Sequence, residues 1–271
     1  MMASLFVVSL LLQPASAAPQ ANISGATSFV YKTAGASQLR LYVFTTKKAA
    51  PHAAIVFFFG GGWTQGDVAQ FAPQATHLAQ RGMVAILADY RVRSRHGTSP
   101  FDAMADARSA LRWVRSHAAQ LGVDPNRVVA AGGSSGGHLA VSAAVFDMFD
   151  EPGEDTTISA KPNALVLFNP AVDTSRNALF GDRGRDGSPL HHVRAGLPPT
   201  LILHGKADTT VPYADVERYC AEASALGNQC RVVGYDGATH GFFNPGRGEK
   251  WFRETLLEAD RFLTTLGYLP K

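Results

Sequence analysis

Three residues that could cooperate in nucleophilic catalysis follow one another along the chain: Ser135, Asp208 and His240. Ser135 is the centre of GSSGG (133–137), which fits the pattern G-x-S-x-G and joins an apolar run to a helix-like run. A serine in this setting lies on a sharp strand-to-helix turn that exposes its hydroxyl group. The hydroxyl is a poor nucleophile at neutral pH, so it needs a base and a group that orients the base. We therefore predict Ser135 as nucleophile, His240 as general base and Asp208 as the orienting carboxylate.

These residue types also have ordinary structural roles. Asp208 could cap a helix that begins near Pro212, and a single histidine among nine is often a plain loop residue. His204 lies within a predicted strand, so we expect it to pack in the core. His191 and His192 are adjacent, but no third ligand follows at a useful spacing. We expect no metal and no cofactor.

Attack on a carbonyl also requires N–H donors for the oxyanion that forms. The segment FFFGGGW (57–63) leads from a buried apolar run into three glycines, whose bare backbone can approach a substrate. We predict Gly61 and Gly62 as donors, together with Gly136, the residue after the predicted nucleophile. Trp63 is a candidate substrate-binding residue. A flexible connection is the alternative interpretation of the glycines.

Apolar runs and helical patterns alternate from residue 54 to the end of the chain. The predicted strands are 28–32, 39–44, 54–59, 83–89, 127–132, 164–168, 200–204 and 231–235, and the predicted helices are 67–80, 100–120, 136–149, 212–226 and 246–266. The first two strands are expected to be antiparallel edge strands, and the alternation predicts a mostly parallel sheet with helices on both faces. Ligands bind beyond the carboxyl ends of such strands. The predicted serine, aspartate and histidine each follow a strand, so they are expected to meet at that edge.

Five motifs between residues 54 and 243 carry a family resemblance: FGGGW (59–63), DYR (89–91), GGSSGGHLA (132–140), HGKADTTVP (204–212) and HGF (240–242). With them the sequence resembles α/β-hydrolases of the esterase and lipase superfamily. It is similar to exported carbohydrate esterases of the acetyl xylan and feruloyl type, and to hormone-sensitive-lipase-like esterases. The resemblance implies an α/β-hydrolase fold with about eight strands. Phe59 replaces the histidine of the family's HGGG motif, which puts the rigidity of that loop in question.

The first residues have features of an export signal. An apolar stretch at 5–12 is too short to cross a bilayer and is followed by Pro14 and ASA (15–17), a small-x-small pattern. We predict that residues 1–18 are removed and that 19–271 form a single catalytic domain, secreted or periplasmic. No lysine or arginine precedes the apolar stretch, and a buried N-terminal element is the alternative interpretation.

The chain has two cysteines, Cys220 and Cys230. Export would place them in an oxidising compartment, where they could pair. The first falls late in a predicted helix and the second at the start of a predicted strand, so we predict a disulfide between them. Two buried free thiols are the alternative.

Composition and charge exclude some classes of partner. The formal net charge of +3 is small and the basic residues are scattered, which argues against nucleic acid and against a polybasic membrane surface. We expect no stable membrane insertion.

The residues after strand six, 171–198, lack apolar periodicity, so we expect rim loops there and no large cap domain. We therefore predict a serine carboxylic-ester hydrolase that acts through an acyl-enzyme. It is expected to remove short acyl groups from carbohydrate or other bulky alcohols, with a small molecule or a polysaccharide as substrate. The alternatives are a prolyl-oligopeptidase-like serine peptidase, which usually carries a propeller domain, and a non-catalytic hydrolase-fold binding protein. The oligomeric state is left open.

Overall fold

The structure is a computed structural model that describes residues 21–271. Its strands are β1 (Thr27–Ala34), β2 (Ser37–Phe44), β3 (His52–Phe58), β4 (Val84–Ala88), β5 (Val123–Gly133), β6 (Ala164–Phe168), β7 (Thr200–Gly205) and β8 (Cys230–Tyr235). They form one eight-stranded sheet in the order β1-β2-β4-β3-β5-β6-β7-β8. β2 pairs antiparallel with β1 and β4, and all later pairings are parallel. The predicted signal segment, 1–18, lies outside the described residues and stays a prediction.

The central strands are buried on both faces because helices cover the sheet on each side. Every residue of β3, β4 and β6 is buried, as their continuous apolar sequence indicates. The helices are α1 (Ala72–Arg81), α2 (Arg93–His96), α3 (Pro100–Ser116), α4 (Ala118–Leu121), α5 (Ser135–Val145), α6 (Tyr213–Ala225) and α7 (Glu249–Thr265). Residues of α3, α5 and α6 belong to one apolar core, and residues of α1 and α7 belong to the core on the opposite face. The predicted α/β-hydrolase fold is confirmed.

All five predicted helices are shorter in the structure, and two of them are divided. The helix predicted over 100–120 is divided into α3 and α4, because His117 leaves the helical region with φ −107° and ψ 18°. The helix predicted over 67–80 begins as a 3-10 segment, Val68–Phe71, which precedes α1. α3 begins with a capping box, in which the Asp102 carboxylate accepts hydrogen bonds from the backbone N–H and the hydroxyl of Ser99.

The connection between β6 and β7 forms part of the rim above the carboxyl ends of the strands. It contains two short 3-10 segments, Ala178–Arg183 and Pro189–His192. Residues 21–271 therefore contain no large cap domain, as predicted. No helix within this range is long and apolar enough to cross a membrane.

The predicted disulfide is present. Cys220, near the end of α6, is bonded to Cys230, the first residue of β8, with a Cα–Cα distance of 5.3 Å. The two cysteines are ten residues apart in the sequence. One belongs to α6 and the other to β8, so the bond ties the helix to the edge strand of the sheet.

Candidate active site

Ser134 occupies the sharp turn between β5 and α5. Its backbone has φ 54° and ψ −120°, a conformation that costs a non-glycine residue about 1–3 kcal/mol. Two backbone hydrogen bonds, one to the last residue of β6 and one to the segment that follows, hold it there: the Ser134 N–H donates to Phe168 O at 2.9 Å, and the Ala171 N–H donates to Ser134 O at 3.2 Å. Such strain is typical of a nucleophile elbow.

The glycines on either side of this turn are required by close contacts with backbone. A Cβ atom on Gly136 would lie 2.0 Å from the carbonyl oxygen of Phe58, and one on Gly132 would lie 2.5 Å from the carbonyl oxygen of Gly136. The two glycines that a G-x-S-x-G elbow needs are therefore Gly132 and Gly136. The central serine of that pattern is Ser134.

The prediction of Ser135 as nucleophile is therefore wrong by one position. Its side chain is 1% exposed, and its hydroxyl has no hydrogen-bond partner within residues 21–271. The partly exposed Ser134 instead places its Oγ 3.0 Å from Nε2 of His240. The sequence GGSSGG (132–137) fits G-x-S-x-G in two registers, and only the backbone contacts of the elbow distinguish them.

Asp208 and His240 lie where the sequence predicted, on loops after β7 and β8. His240 Nδ1 donates to Oδ2 of Asp208 at 2.7 Å, which leaves Nε2 as the acceptor that faces Ser134 Oγ. The other carboxylate oxygen accepts from the backbone N–H groups of Thr210 and Val211 at 2.8 and 2.9 Å. Asp208 is not the N-cap of α6, a position that Pro212 occupies. The three side chains thus form a continuous chain of hydrogen bonds.

His204 is a further neighbour of Asp208 that sequence reasoning assigned to packing alone. Its ring is fully buried, and its Nε2–H donates to Val211 O at 3.0 Å and lies 3.3 Å from Asp208 Oδ2. Burial lowers the pKa of His204, and Nε2 carries a hydrogen because a carbonyl can only accept. Its position in HGKAD, four residues before the aspartate, was the available sequence signal.

The predicted oxyanion loop follows β3, and the donor roles of Gly61 and Gly62 stay a prediction. Gly61 and Gly62 lie in the loop after β3 with φ 139° and 62°, and neither N–H has a hydrogen-bond acceptor in the described part of the chain. The placement of Gly136 as a donor is wrong, because it followed from the incorrect register. The residue after the elbow serine is Ser135, whose backbone N–H is the first of α5 and has no acceptor within the helix.

The loop of the three glycines is held without the histidine that Phe59 replaces. The Phe59 ring stacks on Tyr90 with centroids 4.1 Å apart, and the Tyr90 hydroxyl donates to Phe59 O at 2.7 Å. The Gly60 N–H donates to Oε1 of Gln70 at 2.7 Å, and Nε2 of Gln70 donates to Oδ1 of Asn244 at 3.1 Å. Asn244 Nδ2 in turn donates to the carbonyl of the residue after His240 at 2.8 Å. The loop is therefore connected to the histidine loop.

Asn169 also supports the histidine loop and was not predicted. It follows β6, is fully buried and has φ 34°. Its Oδ1 accepts a hydrogen bond from the Gly241 N–H at 3.1 Å, directly after His240. Its own N–H donates to Leu203 O at 2.8 Å. A buried polar side chain at a strained position, bonded to a catalytic loop, marks a positioning role.

Trp63 lies beside the oxyanion loop but is itself only 4% exposed. Its ring makes edge contacts with His138 and Phe180, with centroids 5.0 Å away in each case. It also lines a surface cleft, which agrees with a substrate-binding position. No group of three or more histidine, cysteine, aspartate or glutamate side chains in residues 21–271 is arranged to hold a metal ion.

Comparison with known proteins supports the same fold and type of site. Residues 39–177 match the BD-FAE family, and residues 165–260 match the prolyl oligopeptidase family. The chain is 31% identical to the probable carboxylic ester hydrolase LipM of Mycobacterium tuberculosis over 63% of this chain and 44% of LipM. It is 37% identical to carboxylesterase NlhH of the same species over 70% of this chain and 66% of NlhH. The chain spans about half the length of most curated relatives that it matches.

Solved structures match over almost the whole chain. Thermogutta terrifontis esterase 2 phosphorylated by paraoxon is 48% identical with a TM-score of 0.89, and the match covers 92% of this chain and 97% of that one. The propionate-bound form of the same esterase is 47% identical with a TM-score of 0.88, over 93% and 98% of the two chains. With half of its length matched by one family and this fold around Ser134, the chain belongs to the BD-FAE family of α/β-hydrolase esterases.

Proposed function

We propose that this chain is a serine carboxylic-ester hydrolase with Ser134 as nucleophile. The observation that carries the proposal is the hydrogen-bonded series from Ser134 Oγ through the His240 ring to the Asp208 carboxylate. Ser134 is also the residue that the strained turn exposes. This arrangement activates a hydroxyl for attack on a carbonyl.

The reaction uses each of these groups in turn. His240 Nε2 takes the proton of Ser134 as Oγ attacks the ester carbonyl, while Asp208 stabilises the imidazolium that forms. Negative charge on the carbonyl oxygen is received by backbone N–H groups of Gly61, Gly62 and Ser135. His240 then protonates the leaving alcohol, and water repeats the same steps on the acyl-enzyme.

The acyl group that we propose is short. Thermogutta terrifontis esterase 2 has been solved with propionate and with butyrate bound. The rim of the site in this chain is built from two 3-10 segments, and such a rim leaves space for a bulky alcohol. We therefore propose short-chain esters of carbohydrate or other bulky alcohols as the substrates.

The nucleophile is tested by two matched variants, Ser134→Ala and Ser135→Ala, assayed with p-nitrophenyl acetate, butyrate and octanoate. Ser134→Ala is expected to lose several orders of magnitude in kcat, because the nucleophile is absent. Ser135→Ala keeps its backbone N–H and is expected to stay within about tenfold of the parent. Mass spectrometry after treatment with paraoxon should show an adduct on Ser134.

An adduct on Ser135, or full activity of Ser134→Ala, would overturn the assignment. The prolyl oligopeptidase match over residues 165–260 favours a serine peptidase as the second candidate. A peptide p-nitroanilide in the same assay distinguishes the two, because a peptidase would cleave the anilide faster than the acetate ester. No turnover and no adduct would indicate a binding protein.

We also infer that the protein is exported. The apolar stretch at 5–12 with ASA at 15–17 supports this, as does the bond between Cys220 and Cys230, since disulfides are typical of oxidising compartments. N-terminal sequencing of the protein expressed with its own first residues should find a start near residue 19. An intact start inside the cell would contradict export.

A further inference from the structure

A surface cleft of about 540 Å³ opens beside the oxyanion loop. Residues that line it include Trp63, Arg93, Thr98, Phe101, Phe180 and Arg183, and we call it the Trp63 cleft. Trp63 directly follows Gly62, and its ring contacts His138, which lies one helical turn after Ser134. Trp63 therefore joins the wall of this cleft to the oxyanion loop.

Two hydrogen-bond donors of the Trp63 cleft are unused. Nε1 of Trp63 and Oγ1 of Thr98 are both buried, and neither has a hydrogen-bond partner within residues 21–271. An indole nitrogen can only donate, and a buried donor without an acceptor destabilises the folded protein. Both residues line the cleft, so an acceptor on a ligand would give each donor a partner once local side-chain movement exposes it.

The Trp63 cleft also carries positive charge that no carboxylate neutralises. Arg93 is exposed and has no acidic partner within 4.0 Å among the described residues. Its backbone N–H donates to Trp63 O at 3.0 Å, which fixes the Arg93 backbone beside that of Trp63. Asp102, at the start of α3, is engaged by Ser99 and lies 3.6 Å from Arg91.

The second arginine of the cleft is arranged differently. The Arg183 guanidinium lies 4.1 Å from the centroid of the Phe101 ring and pairs with Asp186 at 3.2 Å. Its charge is therefore partly compensated, and the ring holds it at the cleft wall. Arg93 is the cation that remains available.

We propose that the Trp63 cleft binds a carboxylate on the alcohol portion of the substrate. A carboxylate is an acceptor with two oxygens, so it can take the charge of Arg93 and the donors of Trp63 and Thr98. We place the carboxylate on the alcohol portion, because the acyl group proposed above is short. The inference rests on the proposed esterase function and narrows its substrates to esters of acidic alcohols.

Two matched acetate esters test this with little change in size: 3-acetoxybenzoate and 3-acetoxybenzamide. The parent enzyme is expected to favour the carboxylate ester in kcat/KM by about tenfold or more, since a hydrogen bond to a charged group contributes about 1.5–3 kcal/mol. Arg93→Gln should remove this preference. Arg95→Gln is the control, because Arg95 lies in the same short helix, pairs with Asp89 and does not line the cleft. Trp63→Phe should reduce the preference by removing one donor.

Equal use of the two esters by the parent enzyme, or the same preference in Arg93→Gln as in Arg95→Gln, would overturn the proposal. p-Nitrophenyl acetate separates it from the proposed function: hydrolysis of that ester without a carboxylate preference rejects the cleft assignment alone. Calorimetry with 3-acetamidobenzoate and 3-acetamidobenzamide tests the cleft without turnover. The acid should bind the parent protein about tenfold more tightly than the amide, and Arg93→Gln should bind both alike.

Discussion

The carboxylate of Asp208 is restrained at both of its oxygens. Thr210 and Val211 donate backbone hydrogen bonds to Oδ1, while His240 donates to Oδ2 and His204 lies 3.3 Å from the same oxygen. A carboxylate with this many donors cannot rotate without breaking several of them. It therefore holds the imidazole in the tautomer that leaves Nε2 free to accept the proton of the nucleophile.

Asn169 is expected to act through His240 and not on the substrate. Asn169→Ala removes the acceptor of the Gly241 N–H, so the histidine loop loses one anchor. We expect kcat to fall about fivefold with KM little changed, because one hydrogen bond contributes about 1 kcal/mol. Asn169→Asp keeps the acceptor oxygen and should retain more of kcat than the alanine variant. Steady-state kinetics with p-nitrophenyl acetate measure both, and a rise in KM at constant kcat would contradict a positioning role.

At the scale of elements, periodicity in the sequence was enough to locate the strands and most of the helices. Burial on both faces makes β3, β4 and β6 continuous apolar runs, and this pattern is visible without coordinates. The register of the elbow was not visible, because GGSSGG (132–137) satisfies the motif twice. The contact of Gly136 with the Phe58 carbonyl, the strained backbone of Ser134 and its hydrogen bond with His240 select Ser134. The Gln70–Asn244 hydrogen bond was also hidden, since it joins residues 174 positions apart.

The connection through Gln70 leads to a prediction about the oxyanion loop. Gln70→Leu leaves the Gly60 N–H without its acceptor and also breaks the bond to Asn244. We expect kcat for p-nitrophenyl acetate to fall by about tenfold or more, because donors for the oxyanion must be held in place before the reaction. Asn244→Ala removes the bond from Gln70 and the bond to Gly241 O, but it leaves the Gly60 N–H with its acceptor and should cost less. If Asn244→Ala proved as damaging as Gln70→Leu, the loop would depend on the histidine side of the connection.

At the scale of the whole molecule, one buried charge network joins the antiparallel edge of the sheet to the parallel part. Asp106, in α3, is fully buried. Its carboxylate forms salt bridges with Lys32 of β1 at 2.7 Å and with Arg91, which follows β4, at 2.8 Å. Glu151 contacts both cations at 2.6 Å. The DYR motif (89–91) thus has a structural explanation, because its arginine anchors the sheet to α3.

Asp106→Ala is expected to lower the free energy of unfolding by about 3 kcal/mol or more, because two largely buried cations lose their buried partner. Lys32 is left with Glu151, and Arg91 with Glu151 and the more distant Asp102. Glu151→Gln is the matched control: its side chain is 29% exposed, and we expect a loss of about 1 kcal/mol. Urea denaturation followed by circular dichroism measures both values. Turnover per folded molecule should be unchanged in Asp106→Ala, since the residue does not contact the site. Equal losses in the two variants would show that burial of Asp106 adds nothing to the strength of the network.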